Sequence, residues 1–115
     1  MSRSVGQQQE AAAEAYLQQQ GLTTLARNFM GPRGEIDLIM RDRDTLVFVE
    51  VRFRRSQRFA SAAESVDQRK QQRLIATAQG YLQKNSALRN QPCRFDVLAC
   101  DGNADFNWIK NAFDT

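Results

Sequence analysis

Hydrophobic and polar residues recur with two different periods along the chain, and the change of period divides it into predicted helices and strands. Residues 5–20 are rich in Ala, Gln, Glu and Leu, which favour a helix, and Gly21 follows where a C-terminal cap would end it. Residues 22–30 turn to Leu, Thr and Phe, which predicts a strand, and Gly31–Gly34 has the composition of a turn.

Two stronger strands follow at Glu35–Arg41 and Thr45–Arg54, and the polar segment between them predicts an antiparallel hairpin. The second strand is the predicted centre of the sheet, because it is apolar on both faces along its first half. One face, predicted to pack in the core, carries Val47, Val49, Val51 and Phe53. The other face turns from apolar to charged midway, in the order Leu46, Phe48, Glu50, Arg52 and Arg54.

Residues 54–67 show no clear period, and loops of this length are often functional. Ser65, with Gln68 three residues later, predicts the cap of a second helix. Lys70 lies one turn before the apolar stripe of that helix and on the same side, so we expect it to point along the sheet. Two further strands are predicted, at Cys93–Cys100 and Phe106–Lys110.

The order α-β-β-β-α-β-β predicts an α/β fold in which a central mixed β-sheet is flanked by helices. A chain of 115 residues suits one domain, which we place at residues 1–115. Its apolar runs are too short to span a membrane, and residues 1–21 lack the apolar core of a secretory signal. We therefore expect a cytoplasmic protein that has no membrane partner.

The composition excludes several kinds of chemistry. The chain has no His and only two Cys, so it contains no Ser-His-Asp triad, no Cys-His pair and no four-ligand Cys/His zinc site. A catalytic metal would therefore need oxygen ligands. The net charge of +3 is compatible with a polyanionic partner. Basic residues in the middle of the chain either contact phosphates or form a solvated surface: Arg54, Arg55, Arg58, Arg69, Lys70 and Arg73.

Glu50 is the most informative residue, because an unpaired carboxylate in so apolar a strand would be costly. If the hairpin closes with Asp42 opposite Thr45, Asp37 comes directly opposite Glu50, where like charges repel unless a positive group lies between them. A divalent cation would meet this need, since Mg²⁺ prefers one or two carboxylates and leaves positions for water and phosphate oxygens. The alternative is a structural salt bridge from Arg52, on the same face as Glu50.

The segment Gly34–Ser56, GEIDLIMRDRDTLVFVEVRFRRS, closely resembles the signature of the YraN-like family, small bacterial proteins predicted to be endonucleases of the PD-(D/E)XK, or restriction-endonuclease-like, superfamily. QEAAAEAYL around Glu10, Asn28, FASAAESVDQRKQQRL and CRFDVLA also look like family landmarks, so the resemblance covers nearly the whole chain. It implies a restriction-endonuclease-like fold and hydrolysis of phosphodiester bonds in DNA with Mg²⁺ or Mn²⁺, branched or structured DNA being a candidate substrate.

Carried over residue by residue, the resemblance implies that Asp37 is the motif aspartate, Glu50 the second acid and Glu10 the carboxylate of the first helix. These three would be the metal ligands. Arg52 occupies the lysine position, and because its pKa is above about 12 it cannot act as a base at neutral pH. It could still stabilise charge that develops on phosphate, with Lys70 as a substitute cation and Glu10 as proton acceptor.

Two other functions stay open at this point. A non-catalytic nucleic-acid-binding module, such as a degenerate nuclease, needs no opposed carboxylates and would bind in a salt-dependent way without divalent metal. A protein-interaction adaptor would have no affinity for DNA or RNA. A homodimer is a further expectation, because junction-cutting nucleases of similar fold often pair.

Overall fold

The structure, a computed structural model, describes residues 5–54, 66–101 and 105–113. Within these ranges lie two α-helices, α1 (Val5–Gln19) and α2 (Gln68–Lys84), and a short 3₁₀ helix at Ser86–Leu88. Five strands form one sheet: β1 (Thr23–Gly31), β2 (Gly34–Asp42), β3 (Thr45–Arg54), β4 (Cys93–Asp101) and β5 (Phe106–Phe113). The predicted order of elements and the α/β class are confirmed. Neither helix in these ranges is long and apolar enough to cross a membrane.

The strands follow the order β1-β2-β3-β4-β5 across the sheet, so β3 is its centre, as predicted. β3 and β4 run parallel, and the other neighbouring strands are antiparallel, which makes the sheet mixed. Because parallel neighbours need a crossover connection, α2 lies in the chain between β3 and β4.

The two faces of β3 bury their apolar residues against different helices. Val47, Val49 and Val51 belong to the core cluster that contains Ala13 and Leu17 of α1. Leu46 and Phe48 belong to the opposite cluster, with Leu74, Ala78 and Tyr81 of α2. The prediction that Phe53 continues the core face is wrong, because its side chain is 38% exposed and belongs to neither cluster.

The start of α2 is fixed by a cap, and the middle of the helix makes a close contact with the sheet. Asp67 caps the helix, since its side chain accepts the Lys70 backbone N–H at 2.8 Å, whereas the predicted capping residue, Ser65, lies outside the described residues. Gly31 faces Thr77, and a Cβ at Gly31 would lie 3.3 Å from Thr77 Cγ2. A glycine therefore lets the helix approach the β1–β2 turn closely.

Candidate active site

The β2–β3 hairpin has the register on which the prediction of an acidic pair depends. Asp42 lies opposite Thr45, and the pairing continues to Leu38 opposite Val49. The pairing ends there, and Asp37 of β2 and Glu50 of β3 are the next residue of each strand beyond it. The predicted proximity of these two carboxyl groups is confirmed, since both line one cavity and the Glu50 charge acts on Asp37.

The Asp37 carboxyl group lies between the two strands at this position. Its Oδ2 accepts the Val51 backbone N–H at 2.8 Å. Burial, followed by the hydrogen bond with Glu50 and the Glu50 charge, raises the pKa of Asp37 from about 4 to about 8, against a smaller opposing effect of the Val51 N–H. With a pKa of about 8, the Asp37 carboxyl group holds a proton near neutral pH and can donate it to Glu50.

Glu50 is only 5% exposed and lies beside two cations. Lys70 Nζ, from the first turn of α2, is 2.5 Å from Glu50 Oε2, and Arg52 Nε is 3.7 Å from the same oxygen. The prediction that Lys70 points along the sheet is confirmed. The alternative that Arg52 forms a salt bridge with Glu50 also agrees with the structure, but Lys70 is the closer cation.

Two cavities meet at Asp37. The smaller, of about 180 Å³, lies beneath α2 and is lined by Gly34, Glu35, Asp37, Glu50, Lys70, Arg73 and Leu74. The larger, of about 500 Å³, lies beside α1 and is lined by Gln7, Glu10, Ala11, Glu14, Arg27, Asn28, Asp37 and Leu38. The smaller cavity brings both members of the acidic pair together with two cations.

Glu10, the predicted third carboxylate, faces the larger cavity. Its two carboxylate oxygens accept the Asn28 Nδ2–H at 3.3 Å each. Its charge contributes to the raised pKa of Asp37, although it is the smallest of the causes. Glu10 is therefore near the acidic pair on the α1 side, while Glu50 faces the α2 side.

The predicted phosphate-binding residues lie in different places in the structure. Lys70 and Arg73 line the smaller cavity, whereas Arg69 is exposed on α2. Arg55, Arg58 and the side chain of Arg54 lie outside the described part of the chain.

Asn28 received no role in the sequence analysis, although it connects two acidic residues near the site. Its backbone has a φ of 49°, a left-handed conformation that asparagine tolerates better than most residues. Its Nδ2 group donates to Glu35 Oε1 at 2.9 Å as well as to Glu10. Sequence spacing gives no signal for this role, because it depends on the contact between α1 and β1.

Glu14 and Arg27 were missed altogether. Glu14 is buried and accepts hydrogen bonds from Thr24 Oγ1 at 2.6 Å and Arg27 Nε at 2.8 Å. These bonds hold α1 against β1 one turn after Glu10. The spacing of Glu10, Glu14 and Gln18 by four residues, which puts them on one helical face, could have predicted a polar contact.

Other buried carboxylates among the described residues accept hydrogen bonds from donor groups. Asp96, 1% exposed, accepts hydrogen bonds from Arg94 Nε, Trp108 Nε1 and the Asn111 backbone N–H. Such a carboxylate is satisfied by donors and needs no further ligand. Glu50 likewise has Lys70 and Arg52 beside it, but it differs from Asp96 in having a second carboxyl group, that of Asp37, close by.

The donor set fits a weakly ligated divalent cation. Among the residues that the structure describes, no group of three or more His, Cys, Asp and Glu side chains has metal-holding geometry. Mg²⁺ needs only one or two protein carboxylates when water and phosphate oxygens complete its shell. The carboxylates of Asp37 and Glu50 are of the type and number that such an ion needs, although Lys70 already lies against Glu50.

Comparison with known proteins identifies relatives that match along almost the entire chain. A UPF0102 protein of Saccharophagus degradans is 55% identical over 108 residues, covering 94% of this chain and 91% of the relative. A UPF0102 protein of Pseudomonas fluorescens (strain Pf0-1) is 50% identical over 111 residues, covering 96% and 92%. The profile of the family described as "Uncharacterised protein family UPF0102" matches residues 9–100. With this match over most of its length, the chain belongs to the UPF0102 family.

Proposed function

We propose that the protein is a metal-dependent endonuclease that hydrolyses phosphodiester bonds in DNA, branched or structured DNA included. The observation that carries this proposal is the Asp37–Glu50 pair, whose two carboxyl groups line one cavity together with Lys70 and Arg73. Carboxylates can hold a metal ion, and cations beside them can hold a phosphate. Hydrolysis of a phosphodiester by a bound metal needs both at one place. The resemblance to restriction-endonuclease-like enzymes supports the same reaction.

Asp37 and Glu50 are the proposed ligands of Mg²⁺ or Mn²⁺, with Glu10 nearby on the α1 side. A divalent cation would replace the proton that the pair shares, because it relieves the same repulsion between the carboxylates. When bound, the ion supplies positive charge against the phosphoryl oxygens and lowers the pKa of water. The protein's own contribution is to hold the two carboxylates in register and largely out of solvent.

Lys70 and Arg73 are the proposed anchors of the phosphate. Both line the cavity of the acidic pair, and both come from the first turns of α2, which Asp67 caps. Arg52 adds positive charge 3.7 Å from Glu50 and stays protonated throughout the neutral range. Lys70 thus provides, from a helix, the ammonium group that the motif lysine would have provided from β3.

Lys70→Gln is expected to lower the rate of DNA cleavage by about 10²-fold, since it removes the cation closest to Glu50. Arg89→Gln is the matched control, because it makes the same change of charge at an exposed position after the 3₁₀ helix, away from the predicted phosphate contacts. It should change the rate by less than about threefold. Equal losses in the two variants, measured as kcat/KM, would show that net charge matters and that Lys70 has no particular role.

The purified protein is expected to cleave DNA only when Mg²⁺ or Mn²⁺ is present. The assay would incubate it with supercoiled, linear, single-stranded and four-way-junction DNA, with each metal or with EDTA. Cleavage of at least one substrate that stops in EDTA supports the proposal. Metal-independent cleavage, or intact DNA throughout the panel, would contradict it.

The Lys70–Glu50 ion pair favours a second candidate, a non-catalytic nucleic-acid-binding module. An ammonium group 2.5 Å from Glu50 already neutralises one of the two carboxylates without any metal. Such a module would bind DNA or RNA in EDTA, with an affinity that falls as the salt concentration rises, and would hydrolyse neither. Binding in EDTA, measured alongside cleavage on the same panel, separates the two functions.

A further inference from the structure

The larger cavity at Asp37 has no role in the chemistry proposed above beyond the presence of Glu10. Its volume of about 500 Å³ lies within the range of small-molecule sites, about 300–1,000 Å³. It opens between α1 and the strands β1 and β2, while the cavity of Glu50 and Lys70 lies beneath α2. Asp37 borders both, so a ligand in the larger cavity would lie next to a phosphate in the smaller one.

The larger cavity is lined by the carboxyl groups of Glu10, Glu14 and Asp37 and by the guanidinium group of Arg27. The Glu10 carboxylate is partly buried, and its hydrogen bonds from Asn28 are long, at 3.3 Å. Glu14 faces the same space, but Arg27 and Thr24 donate to its oxygens. The Arg27 side chain is 62% exposed, and its charge is balanced by Glu14. Such a lining disfavours phosphate and favours a ligand that presents N–H groups.

We propose that this cavity binds the nucleobase next to the scissile phosphate and that Glu10 prefers guanine, whose N1–H and N2–H groups match the two carboxylate oxygens. This inference rests on the proposed function, since the phosphate would lie on the side of Lys70 and Arg73. Unpaired bases enter protein pockets and are read there along their Watson–Crick edge. Thymine presents one N–H between two carbonyl oxygens on that edge, and Glu10 would repel both oxygens.

The test is a titration of the metal-free protein with deoxyguanosine 5′-monophosphate and thymidine 5′-monophosphate, followed by the backbone amide signals of Ala11, Asn28 and Leu38 in NMR spectra. The parent protein should bind the guanine nucleotide at least about fivefold more tightly. Glu10→Gln should bring the two affinities within about twofold, because an amide presents one acceptor and one donor instead of two acceptors.

A steric variant tests the position of the base. Ala11→Phe places a ring in the cavity without changing a charge and should weaken binding of the guanine nucleotide by about tenfold. Gln9→Phe, on an exposed position of the same helix, is the matched control and should bind as the parent does. Equal affinity of the parent for both nucleotides, or undiminished binding by Ala11→Phe, would overturn the proposal.

The titration contains no metal and measures no hydrolysis, so its result is separate from that of the cleavage assay. If the parent protein cuts DNA but binds both nucleotides equally, the base site is wrong and the nuclease function stands. If it prefers the guanine nucleotide but cuts no DNA, the nuclease function is wrong and the cavity is still a base-binding site.

Discussion

Glu50→Gln and Asp37→Asn are each expected to lower the rate of metal-dependent DNA cleavage by at least about 10³-fold. Each substitution replaces a carboxylate of the proposed cation site with an amide of nearly the same shape. The remaining carboxylate would then have to hold a divalent cation alone, beside Lys70, which is 2.5 Å from Glu50 in the parent protein. The loss should appear in kcat, measured at saturating DNA over a range of Mg²⁺ concentrations.

Asp44→Asn is the control for both variants. Asp44 is an exposed carboxylate in the loop of the same hairpin, so its substitution makes the same change of charge away from the acidic pair. Cleavage by this variant should stay within about threefold of the parent. If Glu50→Gln and Asp37→Asn also cleave at the parental rate, the pair is not the catalytic centre.

Asp37→Asn is also expected to stabilise the fold at alkaline pH. The pKa of Asp37 is raised from about 4 to about 8 by burial and by Glu50, so the folded protein binds a proton that the unfolded chain has lost. The parent protein should therefore lose stability as the pH rises from about 4 to about 8. An asparagine can accept the Val51 N–H and donate to Glu50 at every pH.

The free energy of unfolding, measured with urea at pH 5 and pH 9, would test this prediction. At pH 9 the variant should be more stable than the parent by about 2 kcal/mol or more, and at pH 5 the difference should be much smaller. Mg²⁺ should raise the stability of the parent at pH 9 and have little effect on Asp37→Asn, because only the parent has both ligands. A difference between the two proteins that does not depend on pH would contradict the assignment of a shared proton.

The hairpin and its acidic pair were predictable because they depend on local pattern. The structure has the closure with Asp42 opposite Thr45 that the prediction required, and alternation along β3 puts Glu50 on the face that carries Phe48. Helical periodicity likewise predicted the direction of Lys70. The charged end of β3 is a signal in the sequence itself, since it interrupts an otherwise apolar face.

Other parts of the site depend on which helices and strands contact each other, and the sequence pattern does not predict those contacts. Lys70 comes within 2.5 Å of Glu50 because α2 returns across the sheet and packs Thr77 against Gly31. Asn28 reaches Glu10 only because α1 lies against β1. Phe53 was expected in the core because alternation indicates which face a residue lies on but not how far a helix covers that face.

The sequence by itself thus determined the order of the elements and the centre of the sheet, and it predicted that Asp37 and Glu50 are neighbours if Asp42 lies opposite Thr45. These features follow from interactions between residues close along the chain. The tertiary structure decided which cation lies nearest Glu50 and how Glu10 approaches Asp37. It also decided that two cavities meet at Asp37. These features join segments distant along the chain, and their distances are set by the packing of helices on the sheet rather than by local periodicity.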